Sequence, residues 1–360
     1  MKINFIYSIG RKQRLNSKEE IPSEFFYGFL ELKKYFKQLN IFEEKELGMQ
    51  MNNNFLGKLF RKLSFFCNKI PLEMLYGFLI NKSFKKFKDD EILVATTNGI
   101  GLTLSIAKNL GFIKSPIVFI SMGLLSGKVN ILKKITFKAI LKNVFIVFIS
   151  KSEEQYFKKL IPNLNVSYIP FGIDNSFWFE EPGLSNEEYV LGIGNDLARD
   201  WDTLINAWEE NFPKLKIITS KRLFTNKKNI EIIKGNWREN LLTDKKIRQL
   251  YGSAFFTIIP LKETIQPSGQ SSCLQAMSCN KSVIMSDIIG KWDSSRLIHK
   301  KNIYLVKPES ISSLNNAIKD LIKNKKLNET IAKNGKAMVE NFYHKEIIAQ
   351  NLIPIFKRAL

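Results

Sequence analysis

The sequence predicts an α/β protein built from two doubly wound, Rossmann-like domains. Three observations carry this. Short apolar runs alternate with helix-periodic segments along nearly the whole chain, the pattern of parallel sheets with crossover helices. At 360 residues the chain exceeds one ordinary core and suits two domains of about 150–200 residues each. A polar, acidic stretch at 180–188, containing Pro182, Gly183 and Asn186, interrupts the alternation once and reads as a linker or long loop.

The elements follow in order. The run at 3–8 is a first buried strand, and further strands are expected at 92–95, 117–121, 144–150 and 166–170. The helix after 92–95 begins near Asn98 and Gly99 and takes in 102–110. Beyond the linker the alternation restarts with strands at 189–194, 214–219 and 230–233 and helices at 201–210 and 244–251. A strand at 255–260, a polar loop at 261–269, a helix at 270–279 and a strand at 282–286 come next. The strand at 302–306 precedes two basic amphipathic helices at 311–323 and 328–341. No short repeat and no low-complexity tract is present.

Composition narrows the function classes. At 44% hydrophobic and 25% charged residues the chain is an ordinary globular protein. Its formal net charge of +21 is its strongest global anomaly, and nucleic acid, an anionic membrane or an anionic small molecule are all compatible partners. The excess is mostly lysine in a chain rich in Asn and Ile, a bias that genomic base composition also produces. Cys67, Cys273 and Cys279 make an odd number without a paired framework, which points to a reducing compartment. His299 and His344 are the only histidines, which excludes a His-rich metal site. The opening MKINFIYSIGRKQRLN has too short an apolar run for a signal peptide. No segment approaches the roughly 20 apolar residues that span a bilayer.

One region departs from the α/β pattern. The stretch 54–88, from Asn54 to Lys88, carries Lys58, Arg61, Lys62, Lys69, Lys82, Lys85, Lys86 and Lys88 against the single acid Glu73. Between the charges lie Phe55, Leu56, Leu59, Phe60, Leu63, Phe65 and Phe66. A Phe-rich basic amphipathic helix is the kind of element that rests on an anionic membrane surface. Alternatively its apolar face packs into the domain and its lysines are simply solvated.

Two strand-to-helix corners carry the chemistry. In the first, 258–290, Ser268, Gly269, Gln270 and Ser271 stand directly ahead of a helix, where free N–H groups and the positive end of the helix dipole suit a phosphate. In the second, GIGNDLARDWDTLINAW at 192–208, Arg199 lies at the corner, and a guanidinium binds phosphate bidentately. Asp200 and Asp202 spell a DxD that some transferases use to hold Mg²⁺, but acids in a first helical turn also serve as caps. On the other half of the chain, Thr96, Thr97 and Asn98 in EILVATTNGIG, and Met122 and Gly123 after VFIS, fall at strand ends, where they line a ligand edge or cap the next helix.

From these residues onward the chain resembles the two-domain GT-B glycosyltransferases, and most of all the family-4 nucleotide-sugar transferases. The resemblance runs over most of the chain and is best from Val166 to the end. VSYIPFGIDNSFW is similar to the strand and Pro-x-Gly-x-Asp turn that lead into the family's domain junction. In GIGNDLARDWDTLINAW, Asn195 stands at the family's arginine and Arg199 matches the lysine that binds the donor's diphosphate. LQAMSCNKSVIMSD resembles the second half of the family's signature, in which two glutamates enclose seven residues; Gln275 stands at the second glutamate and Pro267 at the first. Glu263, four residues before Pro267, is the acid available to contact the donor sugar, and as a loop acid it is equally suited to solvent. Met122-Gly123 falls where relatives often have His-Gly.

The resemblance implies two Rossmann-like domains facing a cleft: 1–175 for the acceptor, completed by the last helix at about 345–360, and 176–344 for the donor. It implies a retaining, metal-independent transfer of a sugar from a UDP- or GDP-sugar to an acceptor hydroxyl, with no cofactor. Arg199 and Glu263 would be the catalytic residues. Asn195, Ser268, Gly269, Gln270, Ser271 and Gln275 would bind the donor, with Gln275 on the ribose. Gly10, Thr97, Asn98, Met122 and Gly123 would lie on the acceptor side. A lipid-linked or saccharide acceptor, in cell-surface polysaccharide or glycolipid synthesis, would place the protein in the cytoplasm and at the inner membrane face, docked through 54–88. Two other readings remain open: a GT-B-like sugar-nucleotide epimerase, and a non-catalytic sugar-nucleotide or polyanion-binding protein. No nucleic-acid-binding motif is present.

Overall fold

The structure, a computed structural model, describes residues 1–50, 54–66, 70–124, 129–182, 189–235 and 242–360, with 65 and 66 as backbone alone. Cys67, Lys69 and the linker positions from Gly183 to Glu188 lie outside the described residues. The chain divides into two units. The first comprises Met1–Lys18, Phe26–Pro170 and Glu346–Leu360, and the second Glu19–Phe25 and Phe171–Lys345. The division falls at 170/171 and 345/346, and it gives the second unit seven residues from near the start of the chain, Glu19–Phe25.

In the first unit the strands are β1 (Lys2–Tyr7), β2 (Gln38–Glu43), β3 (Ile92–Ala95), β4 (Ile117–Ser121), β5 (Phe145–Phe148) and β6 (Asn165–Tyr168). They pair parallel in the order β2-β1-β3-β4-β5-β6. Apart from Lys2 and Phe145 at their starts, β1, β3, β4 and β5 are buried throughout, as parallel strands covered on both faces must be. The helices are α1 (Arg11–Leu15), α2 (Phe29–Leu32), α3 (Phe55–Phe66), α4 (Leu72–Ile80), α5 (Asn98–Asn109), α6 (Ile131–Leu141), α7 (Lys151–Leu160) and, at the far end of the chain, a helix over Glu346–Ala359. Phe119 of β4 lies against Gly101 of α5 in a core shared with Ile100, Leu104, Phe137 and Phe148.

The second unit repeats the plan with β7 (Tyr189–Ile193), β8 (Lys214–Thr219), β9 (Ile230–Lys234), β10 (Phe256–Ile259), β11 (Val283–Ser286) and β12 (Tyr304–Val306), all parallel in the order β12-β11-β10-β7-β8-β9. Its helices are α8 (Trp201–Ala207), α9 (Asp244–Ser253), α10 (Gln270–Ser278), α11 (Ile311–Lys323) and α12 (Lys325–Phe342); the terminal helix Glu346–Ala359 is α13. The chain leaves β7 towards β8 and β9 on one side and returns as β10 to β12 on the other. That reversal opens a crevice at the carboxyl ends of β7 and β10, the place where such sheets bind ligands.

Glu24 anchors the short segment Glu19–Phe25 within the second unit. Its Oε1 accepts from Trp178 Nε1 at 2.6 Å and from Gln275 Nε2 at 3.1 Å, and its Oε2 accepts from the Asp174 N–H at 3.2 Å. Asp174, from the Pro-x-Gly-x-Asp turn, accepts in return from the Ser23 N–H at 3.1 Å and pairs with Lys345 at 3.2 Å. Burial raises Asp174, but the Ser176 hydrogen bond and the Lys345 charge outweigh it and hold the carboxyl below its usual range.

Glu24 is the opposite case: complete burial pushes it up from 4.5 to about 7, against hydrogen bonds from Gln275, Trp178, its own backbone N–H and that of Asp174, which favour the ionised form. Folded Glu24 therefore keeps its proton to about pH 7 while the unfolded chain loses it near 4.5, so its contribution to stability falls as pH rises between those values. Glu24→Gln removes the dependence. Urea unfolding of the variant and the parent should differ by an amount that moves in the variant's favour by up to about 3 kcal/mol between pH 4.5 and pH 8. A difference that stays constant with pH would contradict this.

Candidate active site

Every strand of the second unit delivers its carboxyl end to the same edge, and the residue after β7 sets the geometry there. Gly194 (φ 150°) passes so close to the next loop that a Cβ on it would fall 2.0 Å from Arg199 Nε. Asn195 follows. Its Oδ1 accepts from the Ser220 N–H at 2.6 Å and from Thr219 Oγ1 at 3.1 Å, and its Nδ2 donates to the Gly235 carbonyl at 3.0 Å. One amide thus ties together the ends of β7, β8 and β9.

Arg199 is brought to the corner by backbone pairing. The loop after β7 forms an antiparallel bridge between Arg199 and Leu261, with Lys262 N–H donating to the Ala198 carbonyl at 2.8 Å and Asp200 N–H to the Pro260 carbonyl at 3.0 Å. Arg199 is 3% exposed. Its Nη2 donates to Ser272 Oγ at 3.1 Å and its Nε lies 3.1 Å from Asp196 Oδ2. Nη1 is buried with no partner among the described residues, and a Cβ on Gly269 would come within 3.0 Å of it. An orphaned cationic N–H in a protein interior is costly unless a ligand satisfies it. Lys221 adds charge nearby: burial lowers its pKa, and Arg199 and Lys262 lower it further.

Gly269 is the N-cap of α10 in the left-handed conformation (φ 74°), which a side chain would strain. It offers no side-chain cap, so the first-turn N–H groups of α10 have no intrahelical acceptor and point their dipole at the corner above Arg199. Ser268 and Ser271 are half-buried beside it, and Gln270 is buried. One turn further along, Gln275 is 7% exposed and donates to Glu24. Gln275, Ser271, Asn195, Ile193, Ile218 and Trp178 line a cavity of about 140 Å³ over the ends of β7 and β8. The structure thus gathers Asn195, Ser271 and Gln275 around one cavity and sets Arg199 against Gly269 and Ser272.

Glu263 lies apart from that cavity. Its carboxylate is exposed and accepts from the Ile289 N–H at 2.9 Å and the Thr264 N–H at 3.1 Å, fastening the 261–269 loop to the turn after β11. Asp200 is the N-cap of α8 and accepts from the Thr203 N–H at 3.3 Å. Cys273 and Cys279 are buried free thiols whose pKa burial raises, so neither is a reactive nucleophile.

In the first unit, Gly10 (φ 95°) caps α1 after β1, with open space where a Cβ would be. Thr97 caps α5. Asn98 Nδ2 donates to the Met122 carbonyl at 2.9 Å, while its Oδ1 accepts from Ser121 Oγ and the Met122 N–H, both at 3.3 Å. These residues meet at the carboxyl ends of β1, β3 and β4. Glu153, buried on α7, holds the same turn by accepting from the Gly123 N–H at 3.1 Å and the Leu124 N–H at 2.7 Å. Sequence reasoning did not single it out; the Ser150-x-x-Glu153 spacing signals a helix cap, and only the fold turns that carboxylate towards the turn.

Residues 240–338 match the family described as glycosyl transferases group 1. No curated protein matches the chain in sequence. Among solved structures, sucrose-phosphate synthase from Thermosynechococcus elongatus is similar over 99% of this chain and 99% of its own, with a TM-score of 0.72 at 14% identity. HepE from Anabaena in complex with UDP is similar over 99% of this chain and 100% of its own, with a TM-score of 0.70 at 14% identity. A glycosyltransferase from Rickettsia africae covers 99% of this chain and 98% of its own, with a TM-score of 0.68 at 15% identity. Residues 240–338, in the second unit, thus carry the match to the group 1 glycosyl transferases, in a chain with the two-domain GT-B fold of these solved structures.

Proposed function

We propose that this protein is a GT-B glycosyltransferase that takes a sugar from a UDP-sugar and transfers it, with retention and without a metal ion, to the hydroxyl of a lipid-linked or saccharide acceptor in cell-surface polysaccharide or glycolipid synthesis. The observation that carries the donor reading is the buried Arg199 guanidinium, with its unpartnered Nη1, against the Gly269 end of α10. The choice of uridine follows the HepE structures, which hold UDP and UDP-glucose. A GDP-sugar presents the same diphosphate and is the alternative donor.

In the transfer, the bond between the sugar's anomeric carbon and the diphosphate oxygen breaks as the acceptor oxygen bonds to that carbon. Negative charge builds on the departing diphosphate, and the acceptor's proton leaves with it or to water. Arg199 and the N–H groups of the first turn of α10 would be fixed positive groups at the point where that charge develops, with Lys221 and Lys262 adding charge nearby. This neutralisation is what a divalent ion provides in metal-dependent transferases. Gln275 and Ser271 would take the nucleoside, and Asn195 would shape its cavity through the strand ends it joins.

The acceptor and membrane side of the reading rests on the first unit's surface. Phe55, Leu56, Leu59 and Leu63 of α3 are exposed, interleaved with Lys58 and Lys62, while Phe60 stacks on Tyr76 with ring centroids 5.1 Å apart. A second basic helix, α6, exposes Ile131 at 75%, Leu132 at 63% and Ile135 at 60% beside Lys133, Lys134 and Lys138. Apolar residues among lysines suit an anionic lipid surface. No described helix is long and apolar enough to cross a membrane.

Three outcomes are expected. With a panel of UDP- and GDP-sugars and membrane extract as acceptor, nucleotide release should require Arg199, and Arg199→Ala should lower kcat/KM about 10²- to 10³-fold. Binding without turnover across the panel would defeat the transferase assignment. Gly194→Ala, which sets a methyl group against the guanidinium, should lower the rate in the same direction while thermal unfolding shows the fold intact. Ile131→Asp with Ile135→Asp should reduce co-sedimentation with phosphatidylglycerol vesicles at least several-fold and leave UDP affinity unchanged. Undiminished co-sedimentation would remove α6 from the docking surface.

A further inference from the structure

The donor reading leaves an unexplained arrangement behind Gln275. A glutamine side chain can sit in a site in either of two amide orientations, which present an N–H₂ donor or a carbonyl acceptor to a ligand. Gln275 lines the 140 Å³ cavity, yet its Nε2 is directed to Glu24 at 3.1 Å. Its Oε1 has no hydrogen-bond partner among the described residues.

The reason for that orientation lies in Glu24. Glu24 is 2% exposed and comes from the Glu19–Phe25 segment that joins the second unit. Its other partners are the Trp178 indole N–H at 2.6 Å and the Asp174 backbone N–H at 3.2 Å, groups that donate and never accept. Once ionised, the carboxylate is surrounded by donors and has none of its own, so Gln275 can join the set only by presenting its N–H₂. The carbonyl is left for the cavity.

We propose that Glu24 is a positioning residue of the donor site: it locks the Gln275 amide so that Oε1 accepts a hydrogen bond from a ribose hydroxyl of the nucleotide. A glutamine held in this way offers the ligand what a carboxylate at the same position would offer. The proposal rests on the donor reading above. It gives the Glu19–Phe25 segment a task in the second unit beyond packing.

A double-mutant cycle tests it, with UDP and its 2′-deoxy and 3′-deoxy analogues as probes in calorimetric titrations at pH 8. The parent should favour UDP over at least one deoxy analogue. Glu24→Leu frees the amide to turn; UDP affinity should fall roughly tenfold, the scale of one hydrogen bond, and the preference for UDP should vanish. Gln275→Glu has two acceptor oxygens and needs no orienting partner. In the double variant with Glu24→Leu it should therefore restore both the affinity and the preference. Any packing loss from Glu24→Leu is common to both backgrounds, so the cycle cancels it. If Glu24→Leu keeps the preference for UDP, or the double variant folds without regaining it, the positioning role is overturned. Should Glu24→Leu alone fail to fold, the double variant decides by the same criterion. A parent that binds neither UDP nor GDP overturns the donor reading itself, a result distinct from a parent that binds UDP with a preference indifferent to position 24.

Discussion

The donor corner depends on one short stretch of backbone pairing. The antiparallel bridge between Arg199 and Leu261 fastens the loop after β7 to the loop after β10, across the point where the sheet order reverses. Without it the Arg199 side chain would belong to a surface loop. With it, the guanidinium is drawn beneath α10 and enclosed by two backbones that lack side chains, at Gly194 and Gly269. A charge so enclosed costs free energy to desolvate; Ser272 accepts one hydrogen bond and Asp196 pairs as an ion, while Nε and Nη1 have no hydrogen-bond partner among the described residues. The remaining capacity is what the proposed diphosphate would take up.

Around that charge the residues divide into those that build the corner and those left for a ligand. Asn195 gives its amide to the ends of β8 and β9, the Asp200 carboxylate accepts from the Thr203 N–H at the start of α8, and the Glu263 carboxylate accepts from the Ile289 N–H. Ser271 and Gln275 keep hydrogen-bonding capacity for the proposed ligand. Arg199 and Gln275 are each set by a partner distant in sequence, Leu261 in one case and Glu24 in the other.

The fold was legible wherever burial is two-sided. Runs such as 92–95 and 117–121 coincide with β3 and β4 because a parallel strand covered on both faces must be apolar at every position. The sequence reading passed over β2, Gln38–Glu43, for the complementary reason. It is an edge strand with no fully buried position, and QLNIFE shows neither a continuous run nor clean alternation. The helix expected at 201–210 stops at Ala207, where Trp208 turns extended to pack on Phe212 at 5.4 Å. At the corner, small polar residues ahead of an apolar helix mark the start of α10 in any sequence. The Glu24–Trp178–Gln275 cluster joins positions about 100 to 250 apart in the chain, and no local pattern announces such a meeting.

The central claim is that Arg199 and the first turn of α10 form one diphosphate site. Nitrogen-15 NMR of the Arg199 side chain and the backbone amides of Gln270, Ser271 and Ser272, recorded while UDP is titrated in, tests this most directly. The account predicts that all four sets of signals shift together and saturate at one dissociation constant, with the Arg199 Nη resonances moving as their unpartnered donor is taken up. Saturable UDP binding that leaves Arg199 and the α10 amides unmoved would contradict it.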